Sequence, residues 1–167
     1  MTTLSENLST DDCQFILPYY SRLSWNARLP RKKIRPLKLP LTHIRYLCTE
    51  TDKCLSDQQC LQAVEDLQHR DMKQGLSDIR YNFLIGATGT VYEGRGWKLD
   101  AHRPAKYDAL KGKCLDIAYI GDYSVRMPPV DLIVSALNLV ALGVEKKLIY
   151  RTYMPIPFTQ DKDDNKI

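Results

Sequence analysis

The sequence predicts an α/β (α+β) domain in which a mixed central β-sheet is flanked by helices. Three observations lead there. Residues 79–93 read as a hairpin: apolar, β-favouring residues from Ile79 to Ile85, a Gly86-Ala87-Thr88-Gly89 connection, then Thr90-Val91-Tyr92-Glu93. Two amphipathic helical stretches occupy separate parts of the chain, and β-prone runs precede and follow each. The resulting order of strand, helix, hairpin, strand, helix, strand suits helices covering a mixed sheet. A chain of 167 residues accommodates this in one domain with a real core. Its 44% hydrophobic and 26% charged content is that of a soluble globular protein, and a net charge of +4 is too mild to argue for nucleic acid.

Taken in order, residues 1–18 read as a polar leader, 19–158 as the folded domain and 159–167 as a charged tail with no packing signal. The leader has no apolar core of the kind a signal peptide needs, and no window approaches the ~20 apolar residues of a membrane span. Tyr19 to Trp25 opens the fold, with Trp25 as an anchor. A Pro-rich basic segment follows, carrying Arg28, Arg31, Lys32, Lys33, Arg35 and Lys38. It reads as a solvated loop, since prolines at 30, 36 and 40 prevent a groove-reading helix. His43 to Cys48 is β-prone without clean alternation, as in a strand covered on both faces.

Ser56 is the expected N-cap of a first helix, with Leu61, Val64, Leu67 and Gln68 at helical spacing and an end near Gly75. After the hairpin, Gly94-Arg95-Gly96-Trp97 presents a large aromatic beside a tight turn, and residues 98–113 form a long loop. Residues 114–121 make another strand. Pro128-Pro129 opens a second helix over 130–142, expected to stop at Gly143. Its apolar stripe is Leu132, Ile133, Ala136, Leu137, Val140 and Ala141, while Asp131, Ser135 and Asn138 form a polar ridge at i, i+4 and i+7. Residues 147–153 supply the last strand.

Five cysteines leave an odd count. Cys54 and Cys60 either close a small disulfide, which implies an oxidising compartment, or remain thiols. Cys48 and Cys114 read as small buried apolar residues, and Cys13 has no identifiable partner. Asn7-Leu8-Ser9 is a glycosylation sequon, usable if the chain is secreted.

The text Tyr81-Asn82-Phe83-Leu84-Ile85-Gly86, followed by Gly89-Thr90-Val91-Tyr92-Glu93-Gly94-Arg95-Gly96-Trp97, resembles the peptidoglycan recognition proteins. These are relatives of phage-type zinc N-acetylmuramoyl-L-alanine amidases. The resemblance runs from Leu23-Ser24-Trp25-Asn26-Ala27-Arg28 through the Cys54/Cys60 pair, Ala101-His102 and 117–123 to Leu148-Ile149, and is strongest to long, membrane-anchored insect members. It implies a mixed sheet with helices on its faces and a groove for a muropeptide.

In the family's enzymes two histidines and a cysteine hold zinc beside a tyrosine, leaving one position for a nucleophilic water. The matching places here are Leu47, Tyr81 and a position at or next to Arg151, and no cysteine follows Cys114. The resemblance therefore implies a non-catalytic domain with no metal or other cofactor. It also implies an extracellular location, with the membrane anchor outside this sequence. Trp97, His102, Tyr107 and Lys113 are candidate groove residues. Lys113 stands near the place where diaminopimelate-selective members carry an arginine, and it offers only a point charge. The stretch after His102 is about four residues longer than the family's usual text, enough to fill or reshape a groove wall. The expected role is a co-receptor, pairing with another peptidoglycan recognition domain that holds the muropeptide. Asp131, Ser135 and Asn138 are nominated for that contact. Direct binding in its own groove is the alternative, and zinc-dependent hydrolysis the remote one.

Overall fold

A computed structural model describes residues 2–5 and 16–158. Its strands are β1 (Thr2–Ser5), β2 (Ile16–Tyr20), β3 (Leu41–Cys48), β4 (Phe83–Gly86), β5 (Thr90–Glu93), β6 (Cys114–Tyr119) and β7 (Ile149–Ile156). Helix α1 (Asp57–Lys73) crosses from β3 to β4, and α2 (Val130–Glu145) from β6 to β7. The strands form one seven-stranded sheet in the order β1-β2-β5-β4-β6-β3-β7. Pairing is antiparallel for β1–β2 and β4–β5 and parallel elsewhere, the mixed sheet that the element order predicts.

The two faces of the sheet bury different clusters. Against α2 lie Ile44, Phe83, Ile85, Val91 and Ile117, packed with Leu132, Ala136, Leu139 and Val140. Against α1 lie Leu47, Leu84, Tyr92 and Ala118, packed with Val64 and Leu67. Strand β3 alternates between them: Ile44 and Cys48 join the α2 side and Leu47 the α1 side. Arg45, two residues before Leu47, therefore shares the α1 side.

Local signals explain the first helix. Ser56 accepts a hydrogen bond from the Gln59 amide at 3.2 Å, capping α1 as expected. The helix stops at Lys73, and Gly75 takes φ +97°, where glycine has no Cβ penalty.

Several boundaries differ from the sequence reading. Residues 2–5, assigned to the leader, add an edge strand, and β2 begins at Ile16. The hairpin's first strand starts at Phe83, not Ile79. Asp78, Arg80 and Asn82 are buried: the Asp78 and Arg80 side chains bond to Gln68 and Asp71 of α1, and Asn82 ties the Gly96 carbonyl to the Asp116 amide of β6. Helix α2 runs through Gly143 to Glu145. A Cβ at Gly143 would stand 2.5 Å from Ile149 Cδ1 and 2.8 Å from Trp97 Cη2, so this glycine permits close packing and is no terminator. The buried stripe of α2 is Leu132, Ser135, Ala136, Leu139, Val140 and Gly143, while Leu137 and Ala141 face outward with Val130 and Val134. The alternation of small and large apolar residues around most of this helix leaves its periodicity ambiguous, which is why the stripe is displaced by about one position.

Candidate functional site

On the α1 face, Leu47 is 1% exposed and packs in the cluster that holds Tyr81. Beside them stands an arginine–carboxylate cluster. Asp71, at the last turn of α1 and fully buried, accepts from Arg70 at 2.9 Å and from Arg80 at 2.8 Å. The Arg80 backbone amide donates to its other oxygen at 2.9 Å. Arg70 Nη2 lies 3.5 Å from the Tyr81 hydroxyl. Burial pushes the Tyr81 phenol up to about 12, partly opposed by Arg70, so it stays protonated at neutral pH. A cleft of about 340 Å³ opens beside Arg70, lined also by Thr51, Asp52, Ala63, Asp66 and Leu67.

Below Leu47 the same face carries a second buried ionic row. Asp116 accepts from Arg103 Nε at 2.7 Å and pairs with Arg45 Nη2 at 3.2 Å. Arg103 uses all three nitrogens, with Asp100 at 2.9 Å and the Cys114 carbonyl at 2.6 Å completing the set. Burial and the adjacent Asp116 push the Cys114 thiol well above its ordinary range. Tyr107 roofs this row, with the Arg45 guanidinium carbon 4.4 Å from its ring centroid. It belongs to a 3-10 segment, Ala105–Leu110, within the long loop, and no residue of that segment is buried. A cleft of about 450 Å³ lies alongside, lined by His102, Arg103, Tyr107, Arg35 and Lys111 among others. Burial, then Arg95 and Arg80, lower the His102 pKa from its ordinary value, so its ring is neutral at pH 7.

The expected residues thus divide. His102 and Tyr107 line one cleft. Lys113 is exposed and lies outside that cleft's lining, its backbone carbonyl accepting from Thr42 and His43. Trp97 is half-buried core: its ring packs 4.8 Å from Phe83 and meets α2 at Gly143. Arg151 does not stand beside Leu47. Leu41 pairs with Ile149 and His43 with Met154, so the intervening residues of β7 bulge out and Arg151 is exposed level with the start of β3. That is roughly 15–20 Å along the strand from Leu47. Leucine offers no donor to a metal, and the residues here do not fit a zinc ion bound at that level. Among the described residues no group of three or more His, Cys, Asp or Glu is placed to hold a metal.

The polar ridge on α2 also divides. Asp131 is exposed and Asn138 half-buried, but Ser135 is buried against the hairpin turn, its hydroxyl filling the space a Cβ at Gly89 would need. Cys54 and Cys60 form a disulfide with Cα atoms 5.1 Å apart, resolving the open alternative. Gly86 makes room for it, since a Cβ there would lie 2.8 Å from both sulfurs. Cys48 and Cys114 are buried thiols, while Asn7 and Cys13 lie outside the described residues. Sequence reasoning missed the row Arg45, Asp100, Arg103 and Asp116. A charged residue inside each of two β-prone runs, Arg45 in one and Asp116 in the other, was the available signal, because buried opposite charges on neighbouring strands seek each other.

No family model matches the chain. It is 36% identical over 145 residues to peptidoglycan recognition protein 1 of Rattus norvegicus, covering 86% of this chain and 75% of that protein. It is 34% identical over 133 residues to peptidoglycan-recognition protein LE of Drosophila melanogaster, covering 79% of this chain but only 38% of the relative. Among solved structures, the ectodomain of the Drosophila transmembrane receptor PGRP-LCa superposes with a TM-score of 0.75 at 31% identity, covering 82% of each chain. Peptidoglycan recognition protein LE in complex with tracheal cytotoxin, a monomeric diaminopimelic acid-type peptidoglycan, superposes at 0.77 and 31%, covering 87% of this chain and 84% of that one. An identity of 36% to a relative covered over 75% of its length, with the matching fold of the PGRP-LCa ectodomain, settles the family: the chain belongs to the peptidoglycan recognition proteins.

Proposed function

We propose that this domain is a non-catalytic pattern-recognition ectodomain of innate immunity that works as a co-receptor. It pairs with a second peptidoglycan recognition domain, which holds a diaminopimelate-type muropeptide, and does not capture that ligand alone. One observation carries the reading. The lengthened loop lays Tyr107 over Arg45, so the chain's own residues occupy the sheet face below Leu47. Leu47 itself, apolar and 1% exposed, argues against a metal-activated water at that level.

The outward side of α2 suits a partner. Asp131 and Asn138 there are flanked by Val130, Val134 and Leu137, which are 72%, 46% and 50% exposed. A mixed apolar and polar surface is typical of a non-obligate interface. Ser135, facing the hairpin, drops out of the nominated contact. The disulfide favours an extracellular setting. No helix among the described residues is long and apolar enough to cross a membrane, so an anchor, in this reading, lies elsewhere in the protein.

Sedimentation velocity tests the reading, with the domain alone, with monomeric diaminopimelate muropeptide, with a candidate partner ectodomain, and with both. A heterodimer that forms only when muropeptide and partner are both present is expected. Calorimetry showing submicromolar muropeptide binding by this domain alone would refute the proposal. The cleft beside His102 and Tyr107 is the feature that favours that second reading, direct binding.

A further inference from the structure

We propose that the end of the domain from which the parallel strands start is a docking surface for an anionic lipid membrane. The proposal goes beyond the co-receptor reading and does not depend on it. Strand β3 runs parallel to both of its neighbours, β6 and β7, so the first residues of all three share one end of the sheet. Each is entered through lysine: Lys38 before β3, Lys111 and Lys113 before β6, Lys146 and Lys147 before β7. Hydrogen bonds tie these approaches together. The Leu41 amide donates to the Leu148 carbonyl, the Thr42 amide to that of Lys113, and the Lys38 amide to that of Gly112. The Leu37 amide likewise donates to the Lys98 carbonyl and the Asp100 amide to that of Arg35, which adds Lys98 and Arg35 to the same end. All of these cations are exposed.

The acids of these segments do not cancel that charge. Asp100 is buried and bound to Arg103 and the Gly112 amide, while exposed Asp108 pairs with Lys111 at 3.0 Å. Glu145, at the end of α2, is also exposed. The overall charge of +4 thus conceals a local excess, in which seven exposed cations stand against two exposed carboxylates. Six of the seven are lysines, compact point charges on flexible stems, which suit a mobile array of phosphates better than one fixed anion. Leu39, 40% exposed beside Lys38, and Tyr150, 49% exposed at the start of β7, put an apolar and an aromatic side chain at the same end. Such groups sit well at the headgroup level of a bilayer, which favours a lipid surface over a sulfated glycan. A membrane met end-on in this way leaves the outward side of α2 open to a partner.

Co-sedimentation with phosphatidylcholine vesicles containing about one-third phosphatidylglycerol tests this, against pure phosphatidylcholine vesicles and beside a heparin oligosaccharide in solution. The domain should bind the anionic vesicles, ignore the neutral ones, and lose most of its binding between about 50 and about 500 mM salt. Lys98→Gln combined with Lys147→Gln should weaken binding roughly 25-fold, at about fivefold per cation. Lys53 and Arg126 lie in the loops that leave β3 and β6, at the far end of the strands. Lys53→Gln with Arg126→Gln removes the same charge there and should change binding by less than about threefold. Tyr150→Ser should weaken it severalfold at either salt concentration. Circular dichroism melting verifies that these surface variants fold. Equal losses in the two double variants, or equal binding to neutral vesicles, overturn the proposal. Binding to heparin with none to vesicles also overturns it, in favour of a sulfated glycan. Muropeptide is absent throughout, so failure here leaves the co-receptor reading standing.

Discussion

Replacing Asp116 with alanine should destabilise the domain more than removing either arginine alone. Asp116 is 0% exposed and joins Arg103 at 2.7 Å to Arg45 at 3.2 Å. Without it Arg103 retains Asp100 and the Cys114 carbonyl, but among the described residues Arg45 keeps only the Tyr107 ring. An uncompensated buried charge costs about 3–5 kcal/mol. At roughly 2–4 °C per kcal/mol for a domain of this size, the melting temperature should fall by roughly 6–20 °C. Arg45→Met provides the contrast. Asp116 stays paired with Arg103, two unsatisfied donors disappear and methionine fills space under Tyr107, so the cost should stay under about 2 kcal/mol. Urea denaturation of both variants decides the matter. An Arg45→Met variant as destabilised as Asp116→Ala would show that the row is not organised around the carboxylate.

Three further outcomes follow from the same geometry. Gly143→Ala should lose about 1–2 kcal/mol despite alanine's better helix propensity, because its Cβ meets Trp97 and Ile149; a stabilised variant in thermal melting would contradict the packing role. Converting Cys54 and Cys60 to serine removes a cross-link spanning a sequence separation of 6, and should cost about 2 kcal/mol by chemical denaturation. His102 has a folded-state pKa below its ordinary value of 6.5, mainly through burial, so folding favours its neutral form. That stabilisation is complete above pH 6.5 and is lost as pH falls toward the folded value. The urea midpoint of wild type should therefore drop more between pH 7.5 and 5.5 than that of His102→Gln, and equal drops would remove His102 from the account.

Local chemistry made much of the fold legible. Glycines between two β-prone runs mark the hairpin, Ser56 marks the start of α1, and alternation of strand and helix signals implies the mixed sheet. These features depend on residues close in sequence, so a linear reading reaches them. The hairpin text and the cysteine pair were enough to suggest the family.

Long-range pairing set the rest. The level of Arg151 relative to Leu47 depends on a bulge in β7, and no local residue announces that register. Trp97 could have faced a groove or the core until Gly143, on another element, offered it a place. Ser135 left the polar ridge because Gly89 of the hairpin packs against it. The row Arg45, Asp116, Arg103 and Asp100 unites two strands and a loop, with charges whose partners lie up to about seventy residues away. Side-chain types and short spacings are written along the chain. Which of them meet depends on strand register and helix placement, and those emerge only when burial of both sheet faces is satisfied at once.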